Sequence, residues 1–211
     1  MKTLYSSTFL SAIFGFLMLV GQTETPITLE KGKDQSFRTI LRTEAPSTPQ
    51  SRVQMTVFTG FNCPDCRNFG RFSLTALHET LNKEAVDLEV VLVVNMEEES
   101  DVLGAKASYC AGEQDQFWAM LSALFEMEVI EEALIQEKMV EWELDEEVFN
   151  SCLESETTQV SVEKSLERWA ANPLETLPST QLHDVSLVGD HPLENIEREI
   201  RRLTSQLTFE N

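Results

Sequence analysis

The stretch Val53-Gln-Met-Thr-Val-Phe-Thr-Gly60-Phe-Asn-Cys63-Pro-Asp-Cys66 decides the fold. Val53 to Thr59 alternates apolar and polar residues, the period of a half-buried strand. A turn from Phe61 to Cys66 carries Pro64, and Phe69, Phe72, Leu74, Leu77 and Leu81 then recur at helical spacing. A strand that turns into a helix through C-x-x-C places two sulfurs three residues apart in a first helical turn. Their Cα atoms then lie within the span of a disulfide. Cys63 falls where free backbone N–H groups and the helix dipole favour a thiolate. Pro64 suits that first turn, where its missing N–H costs nothing. The same spacing also serves half of a zinc site, or a static bridge. Zinc needs a second pair of ligands, and Cys110, Cys152, His78, His183 and His191 are scattered with no C-x-x-C or H-x-x-x-H among them. The redox reading is preferred on that ground.

Downstream, Leu88-Glu-Val-Val-Leu-Val-Val94 is β-branched and nearly continuous, so a strand buried on both faces is expected. After Glu97-Glu98-Glu99 the chain turns helical for about 70 residues. Helices are expected at Asp101–Ala111, Gln114–Glu126, Ile130–Trp142, Glu146–Leu153 and Val160–Ala171, with Ser100, Asp145 and Thr158 as caps. Asn172-Pro173 stops the last of them. Two short strands, Ser179–Leu182 and Val185–Val188, flank the turn His183-Asp184. A final amphipathic helix runs from Leu193 to about Leu207, with Leu193, Ile196, Ile200, Leu203 and Leu207 as its stripe. No internal repeat is found.

The 211 residues carry 36 acidic and 16 basic side chains, a formal charge of −20. A chain so acidic is a poor match for nucleic acid or for anionic lipid, which both select clustered cations. Its 42% apolar content supports a core and excludes wholesale disorder. At the front, Lys2 precedes an apolar run from Phe9 to Val20, the order of an export signal and too short to span a bilayer as a helix. Three readings of residues 1–25 stay open: a cleaved signal, an uncleaved membrane anchor, or a buried helix. The first two place the rest outside the cytoplasm, in the periplasm or cell envelope, soluble or tethered, where thiols can be oxidised. Residues 26–52, rich in proline and polar side chains, read as a linker with a short strand near Phe37 to Leu41.

The stretch Val57-Phe-Thr-Gly-Phe-Asn-Cys-Pro-Asp-Cys-Arg-Asn-Phe69 resembles the Phe-x-Asp-Phe-x-Cys-Pro-x-Cys pattern of DsbA-like thiol:disulfide oxidoreductases. Tyr109-Cys-Ala-Gly-Glu-Gln-Asp-Gln-Phe-Trp118, with Leu124-Phe125, and Phe149-Asn-Ser-Cys-Leu-Glu-Ser155 extend the resemblance over about three quarters of the chain. It implies an α/β, thioredoxin-like fold. Residues 53–99 and 172–211 form the thioredoxin-like domain, and residues 100–171 a helical domain inserted between the strand-helix-strand unit and the final hairpin and helix. It also implies an extracytoplasmic enzyme that exchanges disulfides with exported proteins. The resemblance further implies that Cys63 is the exposed nucleophile and Cys66 the sheltered resolving thiol. A membrane-embedded thiol oxidase or reductase recycles the pair, and no metal or organic cofactor is needed. The cis-proline loop that pairs with substrate backbone in this family maps to Leu177-Pro178. Gly60 stands where the family usually has Asp. The alternative is a non-catalytic thioredoxin-fold binding module whose C-x-x-C is a static disulfide.

Pro64 and Asp65 are the residues that tune the couple. A carboxylate at Asp65, about 6 Å from the Cys63 sulfur, opposes its thiolate by about 1.4 kcal/mol at an effective dielectric near 40. A less stable thiolate makes the disulfide less oxidising. The bland reading is that Asp65 is solvated and shifts little. For Cys110 and Cys152 two fates compete, a structural disulfide or two separate buried thiols; export and even parity favour the bridge. Phe61, beside the redox turn, is a candidate for a peptide groove or for the core. Trp118, Phe117, Met120 and Leu121 read as core, and Glu97-Glu98-Glu99 and Glu131-Glu132 as solvated faces. His78 is placed too far along the helix for base catalysis at Cys63.

Overall fold

The computed structural model describes residues 28–31, 37–42, 52–81, 86–172 and 174–209. The expected export segment, 1–25, lies outside them. Val53–Thr59 forms strand β3 with the alternation expected of it: Val53, Met55 and Val57 are buried and Gln54 is exposed. It pairs in parallel with β4, Val86–Leu92, and antiparallel with β5, Ser179–Leu182, through Phe58 opposite Ser179 and Met55 opposite Leu182. β6, Val185–Val188, completes the C-terminal hairpin as expected. Its turn is locked on β3. The Gln54 N–H donates to His183 Nδ1 at 3.2 Å and the His183 N–H returns to the Gln54 carbonyl at 3.1 Å.

The linker reading of 26–52 is only partly right. Its expected strand is present as β2, Phe37–Arg42, but a further strand, β1 at Thr28–Lys31, pairs antiparallel with it. β2 also pairs with β4, so the six-stranded sheet runs β1-β2-β4-β3-β5-β6. Thr-Leu-Glu-Lys carries almost no strand signal, and an edge position tolerates it because only one side needs a backbone partner.

β4 departs from the expected apolar run. Its first half alternates, because Asp87 and Glu89 are only half-buried. Each carboxylate is held by an arginine. Arg52 donates from Nε to Asp87 at 2.6 Å and from Nη2 to the Val86 carbonyl at 2.8 Å. Arg168 forms a two-pronged pair with Glu89, one prong at 2.8 Å.

The helix expected from Cys63 to Leu81 is broken in its middle. α1, Pro64–Asn68, passes into a π-helical segment, Phe69–Leu74, before α2, Thr75–Leu81. At its exit the Thr75 N–H and hydroxyl both reach the Gly70 carbonyl, five residues back. Gly70 allows the close approach of the insertion here, since a Cβ would stand 2.4 Å from the Phe125 ring.

Between β4 and β5 lie five helices: α3 (Glu99–Gly112), α4 (Phe117–Glu126), α5 (Glu132–Glu141), α6 (Glu146–Glu154) and α7 (Glu156–Ala170). Asp145 caps α6 as expected, accepting the Val148 N–H at 3.0 Å. The other two caps are corrected. α3 starts two residues earlier, so Ser100 lies inside it, and Ser155 rather than Thr158 caps α7. Thr158 is instead buried beside Cys152. Side chains of the sheet, of α3 to α7 and of the final helix α8 (Leu193–Phe209) share one continuous apolar core. Each fully buried Phe, Leu or Val in it contributes roughly 1.5–3 kcal/mol. The α8 stripe is as expected, with Ile196, Ile200 and Leu203 buried.

Candidate redox site

The site grows from the end of β3. Val93 donates to the Thr59 carbonyl at 2.7 Å, which carries the β3–β4 pairing to the edge of the turn. Gly60 is required there, because a Cβ would stand 2.2 Å from the Val93 oxygen. The chain then opens into the turn that delivers Cys63. Cys63 is the N-cap of α1 in extended conformation, and its Sγ accepts the Cys66 N–H at 3.1 Å. Pro64 follows as the first helical residue, exposed, with Asp65 exposed beside it. Cys63 and Cys66 are joined by a disulfide with their Cα atoms 5.2 Å apart. Cys63 is half-exposed and Cys66 is 0% exposed. Of the two bridged residues only Cys63 has exposed surface.

Pro178 lies at the same end of the sheet, immediately before β5, and the Leu177–Pro178 peptide is cis. Leu177 is half-buried and Pro178 buried. The Gly189 N–H donates to the Pro178 carbonyl at 2.8 Å. Phe61, a candidate for groove or core, has its ring in the core. It is 1% exposed, with its ring 5.3 Å from that of Phe125. It faces inward because the turn must seal the top of the core beneath the insertion.

Two features had no sequence signal that identified their partners. Arg67 and Arg71, on α1 and the π-helical segment, reach the C-terminal end of α4. Arg71 Nε donates to the Phe125 carbonyl at 2.8 Å, and Arg67 donates to the Met127 and Glu128 carbonyls. The two cations satisfy carbonyls that α4 leaves open and complement its dipole, which fastens the insertion to the redox helix. The second is Asp101 in the first turn of α3, only 3% exposed. Its Oδ2 accepts the Asn95 N–H at 2.7 Å, while Oδ1 is buried without a hydrogen-bond partner among the described residues. Burial pushes its carboxyl above the usual range, against the pull of the Asn95 and Phe61 N–H groups.

Cys110 and Cys152 are bridged, their Cα atoms 5.6 Å apart, and tie α3 to α6. His78 is stacked on Trp118, ring centroids 4.4 Å apart. Trp118, Phe117, Met120 and Leu121 are buried, as a core reading requires. Among the described residues no three His, Cys, Asp or Glu side chains gather closely enough to hold a metal ion.

The thioredoxin family model matches residues 48–201. The chain belongs to the thioredoxin family. This thioredoxin-family chain is similar in structure to a thioredoxin-like oxidoreductase from Silicibacter pomeroyi DSS-3, with 20% identity, a TM-score of 0.63, and 78% of this chain and 91% of the other covered. It is also similar to the thiol-disulfide exchange protein alpha-DsbA2 from Wolbachia pipientis, at 14% identity and TM-score 0.64, covering 74% and 84%. A periplasmic thioredoxin-like protein from Salmonella enterica serovar Typhimurium aligns at 16% identity and TM-score 0.59, covering 80% and 90%. Comparison with curated proteins gives no match. The DsbA-like fold expected from the sequence is therefore the fold found, and it carries a C-x-x-C pair at Cys63 and Cys66.

Proposed function

We propose that this chain is an extracytoplasmic thiol–disulfide oxidoreductase acting on exported proteins. The observation that carries the reading is the unequal access of the bridged pair: Cys63 half-exposed at a helix N-terminus, Cys66 sealed beneath it. In the oxidising direction a client thiolate attacks Cys63 Sγ. The client–Cys63 bond forms as the Cys63–Cys66 bond breaks, and Cys66 leaves as a thiolate that takes up a proton. A second client thiolate attacks the client sulfur of this mixed disulfide and expels Cys63. The client loses two electrons and two thiol protons, and the pair becomes a dithiol. The reverse sequence reduces a client disulfide, with Cys63 attacking and Cys66 resolving. The α1 N-terminus assists both, since its dipole and the Cys66 N–H stabilise negative charge on Cys63 Sγ.

Client backbone is held as a short added strand at the Leu177-Pro178 loop, and a membrane-embedded thiol oxidase or reductase resets the pair. Pro64 and Asp65 set its potential. The apolar run near the N-terminus and the periplasmic neighbour support export; among the described residues no helix is long and apolar enough to cross a membrane. The test is reduction of insulin and reoxidation of a reduced client, comparing the protein with Cys63→Ala. Loss of both activities in the variant is expected. Equal behaviour of the two proteins would leave a non-catalytic binding module with a static bridge.

A further inference from the structure

We propose that the acidic cleft beside the redox turn receives a lysine or arginine side chain that flanks the reacting cysteine of the client, so that the preferred clients are cationic around that cysteine. This specificity rests on the oxidoreductase reading above. The cleft, of about 230 Å³, is walled by Phe61 and Asn62, the two residues that precede the nucleophile, and by Glu98, Asp101 and Glu128. A second hollow shares Glu98 with it and adds Glu97 and Glu99. These four glutamates are exposed, and among the described residues none of them has an ion-pair partner. Arg67 also lines the cleft, donating to the backbone carbonyls of Met127 and Glu128, and its charge pulls on Asp101, so three carboxylates there stand against one cation.

The buried wall gives the cleft more than surface charge. Asp101 is 3% exposed and leaves Oδ1 without a hydrogen-bond partner among the described residues. A carboxylate so placed acts through protein rather than water, where its field is felt more strongly. A cation in the cleft would offset the burial that pushes the Asp101 carboxyl up. An organic cation fits better than a metal ion, since among the described residues no three ligating side chains converge there. The cleft begins one residue before Cys63, roughly 3.5 Å of chain away. A long side chain near the client cysteine can therefore enter it while the sulfurs exchange.

Three synthetic peptides test this, each with one cysteine and flanked by arginine, serine or glutamate. The rate at which each opens the Cys63–Cys66 bridge is measured by acid quench and mass spectrometry. Each rate is divided by that peptide's rate with a neutral pyridyl disulfide, which removes differences in thiol reactivity. The arginine peptide should react about 10-fold faster than the serine peptide at low salt, and the glutamate peptide slower. Glu98→Gln/Glu128→Gln should abolish most of the arginine preference. Glu163→Gln/Glu167→Gln on α7 makes the same change in net charge away from the cleft and should keep it. Equal rates for the arginine and serine peptides would overturn the inference and leave the oxidoreductase reading standing. Equal loss in the two double variants would also overturn it, by assigning the preference to net charge. If no peptide opens the bridge, the oxidoreductase reading fails and this inference with it.

Discussion

Replacing Cys110 and Cys152 together by alanine should destabilise the protein by about 4 kcal/mol. The bridge joins α3 to α6 across a sequence separation of 42 residues. In the chain-entropy relation, closing such a loop removes roughly 13 cal/mol/K from the unfolded ensemble, or about 4 kcal/mol near 298 K. Both cysteines are buried, at 0% and 6% exposure, so their sulfurs also contribute packing. The loss is large against the 5–15 kcal/mol typical of a folded domain. Equilibrium urea unfolding followed by circular dichroism reads it directly. With a slope of about 2 kcal/mol/M the midpoint should fall by roughly 2 M. The rate at which a neutral peptide opens the Cys63–Cys66 bridge should stay at the parent value at low denaturant, because the second bridge shares no residue with the redox turn. A double variant within about 1 kcal/mol of the parent would refute the reasoning. It would mean that the apolar contacts of α3 with α6 already confine this loop in the unfolded chain.

Gly60→Ala drives a Cβ to 2.2 Å from the Val93 oxygen, a backbone atom that cannot swing aside. It should cost about 3 kcal/mol, a drop in Tm of roughly 6–12 °C by calorimetry, and a drop under 2 °C would contradict the close approach. Burial raises the Asp101 carboxyl in the folded state, so the native protein holds that proton more tightly than the unfolded chain. Its contribution to stability is then full below the unfolded value near 3.8 and is lost as pH rises through the folded one. Asp101→Asn removes that dependence, so in urea titrations its stability relative to the parent should improve from pH 4 to pH 7; a flat difference would count against it. Asp65 is exposed, so its effective dielectric lies between about 40 and 80 and its repulsion of the Cys63 thiolate between about 0.7 and 1.4 kcal/mol. Asp65→Asn should raise the reduction potential of the pair by roughly 15–30 mV in glutathione equilibration, and an unchanged or lower potential would show that the carboxylate tunes nothing.

Much of the scaffold around the site is legible because its signals are local. Val53–Thr59 alternates with period two and is a strand over those residues. Cys63-Pro64-Asp65-Cys66 combines an N-cap geometry with a proline fit only for a first turn, and it opens a helix. The His183-Asp184 turn and the stripe of α8 are equally short-ranged. Asp145 acts as a cap as expected, whereas Ser100 and Thr158 do not, because which of several hydroxyls meets a free N–H depends on where the helix is allowed to begin.

The chain alone specified a strand that turns through a vicinal cysteine pair into a helix, a helical block, and a closing hairpin and helix. Each of these is written in the spacing of apolar side chains and in a few turn residues, so neighbours along the chain suffice to state it. Only the folded molecule decided that Phe61 turns inward, that Asp101 is sealed beside the redox turn, and that Arg67 and Arg71 hold the end of α4 from 54 to 61 residues away. It likewise decided that a polar tetrapeptide at Thr28–Lys31 becomes an edge strand. These depend on which surfaces meet when distant segments share one core. The energy of a buried charge or an edge strand is set by that meeting and leaves no periodic trace in the sequence.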